Sequence, residues 1–330
     1  MGGLADVAAT AAANASAIAA QVAPTAARAA GAGNPVFRRR CCDAAASAVE
    51  ARLAGRSLDC SLVTGQTPAV AGTFAGETAD YYVRYRRGYR EATVDAVASA
   101  LGLAHDDVVI DLGCGTGLLT LPLARRVRLV IGVDPEADML ALARRRTDAT
   151  LAAKVVWCVG TDGDLPALVN LVGAGSVGAV TVAQALHFMD YERLFGQARR
   201  LLRPGGGLAV IANGVPLWQQ DSEWSRGLHA ALETWFQRPV TATCGTDRAT
   251  QARYAQALAG AGYEVHEAVE QYQVDLTLDD LLGGVHSALS PGDVPADRRD
   301  AFANHITNAL PNLETFTDTV RVHALIGITH

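Results

Sequence analysis

Glycine recurs at every second position from Gly113 to Gly117, just after the carboxylate of Asp111, with Cys114 inside the turn. A second carboxylate, Asp134, closes the next apolar run, Leu129 to Val133. Glycines at such a turn let the backbone bend tightly and approach a ligand closely. A helix that starts there points free N–H groups at whatever lies in front of it. An acid at the end of the following strand accepts hydrogen bonds from the two hydroxyls of a ribose. Together these residues suit the holding of a nucleoside. Holding them in place requires a strand, a glycine turn, a helix and a second strand. The sequence supplies each. Val108, Val109 and Ile110 form a β-branched run of the kind buried on both faces of a sheet, Leu118 to Arg126 has helical spacing, and Leu129 to Asp134 is the second strand.

The dinucleotide fingerprint is Gly-x-Gly-x-x-Gly, whose helix faces a pyrophosphate. Here Leu118 occupies the place of the third glycine, and Asp111 would repel a pyrophosphate. A carboxylate at that point suits a ligand carrying a sulfonium and an ammonium group, as S-adenosylmethionine (SAM) does. The run Asp111-Leu-Gly-Cys-Gly-Thr-Gly117 resembles the nucleotide-binding motif of class I SAM-dependent methyltransferases. The resemblance implies that Asp111, Gly113, Cys114, Gly115, Gly117 and Asp134 meet the cofactor. Pro135, which starts the next helix, and Met139 on its inner side are expected there too.

Further stretches resemble the same family. Tyr82, Tyr85, Arg86 and Tyr89 match a Tyr-x-x-Tyr-Arg-Pro-x-Tyr-Pro pattern that folds over the cofactor in small-molecule methyltransferases, with Arg87 and Arg90 in place of the two prolines. Tyr82 and Arg86 are therefore expected at the cofactor, while which arginine meets the SAM carboxylate stays open. The loop from Gly160 to Pro166, after a third strand over Val155 to Val159, corresponds to the place of the acid that bonds the adenine amino group. Asp162 is favoured for that role, and Asp164 reads as a helix N-cap. A fourth strand, Val177 to Ala183, leads into Gln184-Ala-Leu-His-Phe188, which resembles the family's turn at this point. Open α/β sheets put their chemistry at the carboxyl ends of parallel strands. Gln184 is accordingly expected beside the cofactor, and His187, with an ordinary pKa of about 6.5, is the candidate general base. Arg203-Pro-Gly-Gly-Gly207 reads as a tight turn, and Leu-Arg-Pro-Gly-Gly is another family hallmark.

Beyond Ala212 the resemblance loosens. Val215 to Gln237 is amphipathic and carries Trp218, Trp224 and Trp235, which suits either packing on the sheet or a lid over a substrate. The expected fold is α/β: a Rossmann-like, seven-stranded, mostly parallel doubly wound sheet with helices on both faces and an antiparallel last strand. It is expected over residues 73–330, with a helical insertion at about 215–260. Residues 1–72 are alanine-rich and nearly free of aromatics, and read as a flexible or partly helical extension. Ala44 to Leu53 is its one helix candidate, and deletion of residues 1–62 is expected to leave stability unchanged.

A net charge of -6 and the lack of an Arg/Lys stripe with interleaved aromatics exclude a nucleic-acid partner. No apolar run is long enough to span a bilayer, so no membrane partner is expected. Six cysteines without a C-x-x-C pair read as reduced thiols in a cytoplasmic protein. No cluster of Asp or His has metal-ligand spacing, so no metal is expected. The reading is a SAM-dependent methyltransferase, monomeric or homodimeric, that methylates a small-molecule acceptor and releases S-adenosylhomocysteine (SAH). Its alternatives are a non-methylating SAM binder, such as a cyclase or regulator, and an NAD-dependent oxidoreductase.

Overall fold

The computed structural model describes residues 59–61, 72, 74–290 and 292–330; the helix candidate from Ala44 to Leu53 lies outside them. Strands β2 (Val108–Leu112), β3 (Leu129–Asp134), β4 (Val155–Val159), β5 (Val177–Ala183) and β6 (Leu202–Asn213) run parallel in the order β4-β3-β2-β5-β6. Beyond β6 lie β8 (Phe316–Ile328) and then β7 (Glu264–Leu276), with β8 antiparallel to both neighbours. This is the doubly wound sheet expected from the sequence, with its last strand antiparallel.

The sheet has one strand more than expected. β1 (Asp59–Ser61) pairs in parallel with Trp157 to Val159 of β4 and makes the outer edge. The stretch 1–72, read from composition as an extension, thus contributes to the sheet. A three-residue strand carries too little pattern to be seen in sequence. Backbone pairing along an open edge asks little of the side chains.

Alternation along the central strands explains why helices cover both faces. Val108, Ile110 and Leu112 of β2 enter one core and Val109 the other. On the first face lie α5 (Leu165–Val172), α6 (Tyr191–Ala198) and α8 (Arg248–Gly260), through Leu168, Phe195 and Leu258 among others. On the second lie α2 (Glu91–Ala100), α3 (Thr120–Ala124) and α4 (Ala137–Arg146), through Val97, Leu123 and Leu140.

A third apolar core stands apart from the sheet. Trp218, Trp224, Leu228 and Leu232, the last three on α7 (Glu223–Phe236), pack with Leu281 and Val285 of α9 (Leu278–His286) and with Phe302 and Ile306 of α10 (Arg299–Ala309). This corrects the reading of 215–260 as a single insertion. α7 belongs to a cap, but α8 belongs to the sheet, and the other half of the cap comes from between β7 and β8. An amphipathic pattern marks an apolar face without saying which apolar surface it meets.

Arg203 also departs from expectation. It lies within β6, not in a tight turn, and its guanidinium grips the Asp107 carboxylate twice, Nε to Oδ1 at 2.8 Å and Nη2 to Oδ2 at 2.9 Å. Both residues are buried. Among the described residues no helix is long and apolar enough to cross a membrane.

Candidate active site

The glycine turn is built between β2 and β3. The N–H groups of Gly113 and Cys114 donate to the Val133 carbonyl at 2.8 and 3.1 Å. Gly113 and Gly115 have φ of +66° and +53°, which side-chain-bearing residues rarely adopt. A Cβ at Gly113 would lie 2.4 Å from the Cβ of Ala185, and one at Gly115 would lie 3.3 Å from Cε of Met139. Gly117 differs from expectation: it does not line the cavity, and its Cβ would lie 2.7 Å from the Trp157 ring. Its role is to admit that ring beneath the turn. The helix that follows is shorter than its spacing suggested, Thr120 to Ala124 only.

Two carboxylates brace this turn. Asp134 accepts the Gly115 N–H on Oδ2 at 2.8 Å and the Glu136 N–H on Oδ1 at 2.9 Å, tying the end of β3 to the turn. Asp111 accepts the Thr120 hydroxyl on Oδ2 at 2.6 Å and the Thr181 hydroxyl on Oδ1 at 2.7 Å. Burial raises both carboxyls to about 6 against the pull of these hydrogen bonds. A cation or hydroxyl donor arriving beside them would favour the ionised form.

One cavity of about 450 Å³ runs from this turn to the cap, and its wall includes Tyr82, Arg86, Asp111, Gly113, Cys114, Gly115, Asp134, Pro135, Met139, Asp162, Gln184 and His187. Every residue assigned to the site from sequence except Gly117 is therefore on it. α1 (Glu77–Tyr85) contributes Tyr82 to the wall. Phe74, just before it, meets the rings of Tyr82 and Phe188 edge-on, each with centroids 5.9 Å apart.

The three arginines after α1 separate cleanly. Arg87 pairs with buried Asp318, and Arg90 lies 3.5 Å from buried Glu270. Arg86 has no carboxylate partner among the described residues; it sits over the Tyr82 ring, and its Nε is buried without a hydrogen bond. The substitutions for proline thus anchor the segment to β7 and β8 and leave Arg86 available to a ligand.

At the far side, Gln184 sits at φ +56°, its side-chain amide donating to the Asn213 carbonyl at 3.0 Å. That left-handed residue turns the chain at the end of β5 and carries His187 to the wall. Burial lowers the His187 pKa to about 4, and the Arg86 charge acts in the same direction. Its side chain is therefore a neutral but weak base at physiological pH, less basic than an ordinary histidine. Asp162 is on the wall and is held by Arg193 at 3.2 Å. Asp164 instead reaches back to Thr161, accepting from its N–H at 2.8 Å in a capping box. It also stands at the N-cap of α5, the place foreseen for it, although its side chain serves the Thr161 box and makes no cap hydrogen bond to α5.

Sequence reasoning missed Phe74, Glu136, Asn213, Leu217 and Cys244, all on the wall. Trp218 is there too, and the run of tryptophans was its only signal. No signal marked Cys244, since its place depends on a left-handed turn at φ +51°.

Residues 109–206 match the model of a methyltransferase domain. An uncharacterized methyltransferase of Mycobacterium bovis is 36% identical over 138 residues, covering 42% of this chain and 51% of that protein. The chain thus spans about half the length of the curated relatives it matches. Among solved structures, the YcgJ protein of Bacillus subtilis is 14% identical with a TM-score of 0.48, covering 73% of this chain and 99% of that one. The geranyl diphosphate C-methyltransferase of Streptomyces coelicolor A3(2), solved with SAH, is 22% identical with a TM-score of 0.40, covering 72% and 79%. The matched domain spans the glycine turn, both bracing carboxylates and the start of β6, so this part of the chain is similar to methyltransferase domains.

Proposed function

We propose that this protein binds SAM at the glycine turn and transfers its methyl group to a small-molecule acceptor, leaving SAH. One continuous cavity supports this most: a nucleoside-fitting turn at one end, a neutral histidine beside the carboxyl edge of β5, and an apolar cap at the other end. The residues fit the cofactor. The turn is open where any Cβ would intrude, Arg86 offers an unpaired guanidinium, and each Asp134 oxygen carries a lone pair beyond its backbone bond.

In this reading Asp134 holds the ribose hydroxyls, with Pro135 and Met139 beside the nucleoside and Asp162 toward the adenine amino group. Arg86, with Tyr82, meets the amino-acid carboxylate, and Asp111 favours the positive end. Bound SAM supplies a methyl group on a sulfonium, an in-line leaving group. The protein's task is then alignment and removal of a proton. Gln184 orients the end of β5, and His187 accepts a hydrogen bond or a proton from the acceptor. The net charge of -6 favours a small acceptor over nucleic acid.

The test is incubation of the protein with methyl-labelled SAM and fractionated small-molecule extracts, followed by product mass spectrometry. Label in a small molecule, with SAH in equal amount, is expected. SAM binding without any labelled product would favour the non-methylating reading.

A further inference from the structure

We infer that Tyr85 is a positioning residue for the cofactor: it locks α1 against the cap helix α9, so that the cap sets how long the cofactor stays bound. The inference rests on the methyltransferase reading and deepens it. Tyr82 and Arg86, which that reading places at the cofactor, ride on the same last turn of α1 as Tyr85. The Arg86 N–H closes this turn on the Tyr82 carbonyl at 3.0 Å. Whatever fixes Tyr85 therefore fixes them.

Burial holds α1 weakly. Of its nine residues only Thr78 and Ala79 are buried. Its ion pairs, Glu77 with Arg299 and Arg84 with Asp279, each have an exposed member, and pairs of that kind contribute little. One contact is built differently. The Tyr85 ring lies in a notch of α9, where a Cβ on Gly283 would meet its Cδ2, Cε2 and Cγ at 2.3, 2.3 and 2.4 Å. Its hydroxyl donates to Asp279 Oδ2 at 3.0 Å, one turn earlier on the same helix. One turn back on α1, Tyr81 stacks on His286 with ring centroids 4.8 Å apart. Asp279, Gly283 and His286 share a face of α9 by their spacing, and the two tyrosines lie along it.

The neighbouring stripe of α9 faces the acceptor end. Asp280 and Gly284 line the cavity, and a Cβ on Gly284 would come 2.9 Å from Cδ1 of Leu217, another wall residue. Leu281 and Val285 hold α9 in the cap core. One helix thus meets the acceptor end directly and the cofactor end through Tyr85. Gly283 itself is buried and off the cavity wall, so a methyl group there reaches the cofactor only through Tyr85. Cγ, at the base of the ring, is among the atoms it would strike, so turning the ring about its own axis brings no relief. Either the ring swings out of the notch or the last turn of α1 lifts.

The experiment follows SAH binding and release by surface plasmon resonance on the full-length wild type, Gly283→Ala, Tyr85→Ala and the double variant, with melting measured alongside. Gly283→Ala should release SAH about 5- to 30-fold faster than the wild type. Its Tm should stay within about 3 °C, since alanine is the better helix former. Tyr85→Ala should release SAH at least about fivefold faster, and adding Gly283→Ala to it should change the rate by less than about twofold. Tyr85→Phe, which keeps the ring and loses only the bond to Asp279, should stay within about threefold of the wild type. Release within about twofold of the wild type in Gly283→Ala or Tyr85→Ala, or a Gly283→Ala effect of equal size with and without Tyr85, would overturn the proposal. A lowered Tm with unchanged release would mark a structural contact only and overturn it too. If Gly283→Ala does not fold, the Tyr85 variants decide: release by Tyr85→Ala no faster than by Tyr85→Phe overturns the proposal. Failure of the wild type to bind SAH would strike the methyltransferase reading and this inference together. SAH binding with release indifferent to the notch would strike the inference alone.

Discussion

Asp134 is the side chain on which cofactor affinity should depend most steeply. Asp134→Ala removes a charged acceptor from the ribose and frees the Gly115 and Glu136 N–H groups it now holds. SAM affinity should fall by about 2–4 kcal/mol, read by calorimetry. A loss of under about twofold would contradict the assignment. Asp111 and Asp134, each raised to about 6, also set a pH dependence. A carboxyl raised above its unfolded value stabilises the free protein at acid pH and loses that contribution as pH rises through about 6. SAM favours the ionised carboxylates, so its affinity should weaken as pH falls through about 6, and its thermal shift should be larger at pH 7.5 than at pH 5. His187 titrates elsewhere. Lowered to about 4, it should place any acidic limb of kcat near that value and not near 6.5. His187→Ala should lower kcat by about 10²-fold with SAM affinity intact. An unchanged kcat would rule out the base role. Most of these residues were legible in sequence because a strand end fixes where its side chains go. The choice among Arg86, Arg87 and Arg90 was not, since it turns on buried acids of β7 and β8 far away in the chain.

At the scale of elements, Arg203 and Asp107 fasten the start of β6 to the start of β2. Removing one member of a buried ion pair leaves the other charge uncompensated, so Arg203→Met should cost about 3–5 kcal/mol of stability, measured by denaturant unfolding. A change under about 1 kcal/mol would show that the pair is relaxed by water. The edge strand β1 gives a second test. Deletion of residues 1–62 removes it, and should lower stability by on the order of 1–2 kcal/mol, a drop of about 2–6 °C in Tm. Measured against deletion of 1–57, which keeps the strand, the difference isolates its pairing with β4. Equal melting of the two truncations would mean that the pairing of Asp59–Ser61 with β4 contributes nothing. The sequence alone pointed to no effect, because a short edge strand lacks the apolar alternation that made β2 and β3 visible. Strand and helix positions were otherwise readable from β-branched runs and glycine turns. The shortened α3 and the incorporation of Arg203 into β6 were not, because sheet pairing and burial decided both.

The whole molecule is a sheet with two faces closed by helices and a third core set over the carboxyl end of the strands. On the proposed function, that arrangement lets a single cavity hold a nucleoside beside the glycine turn and an acceptor beside the cap. The sheet was legible because its period and turns are local. The cap was only partly so, since it joins α7 with α9 and α10 across the intervening α8 and β7, and nothing local in either segment names the other. Whether the glycine turn holds SAM is decided by calorimetric titration of the wild type and Gly115→Val. A Cβ at Gly115 would lie 3.3 Å from Met139 in a left-handed turn, and valine adds two methyls beyond it. The wild type should bind SAM and SAH and show no heat with NAD, and Gly115→Val, with its melting transition checked, should bind neither. Binding of NAD in place of SAM, or normal SAM binding by the folded variant, would contradict the account.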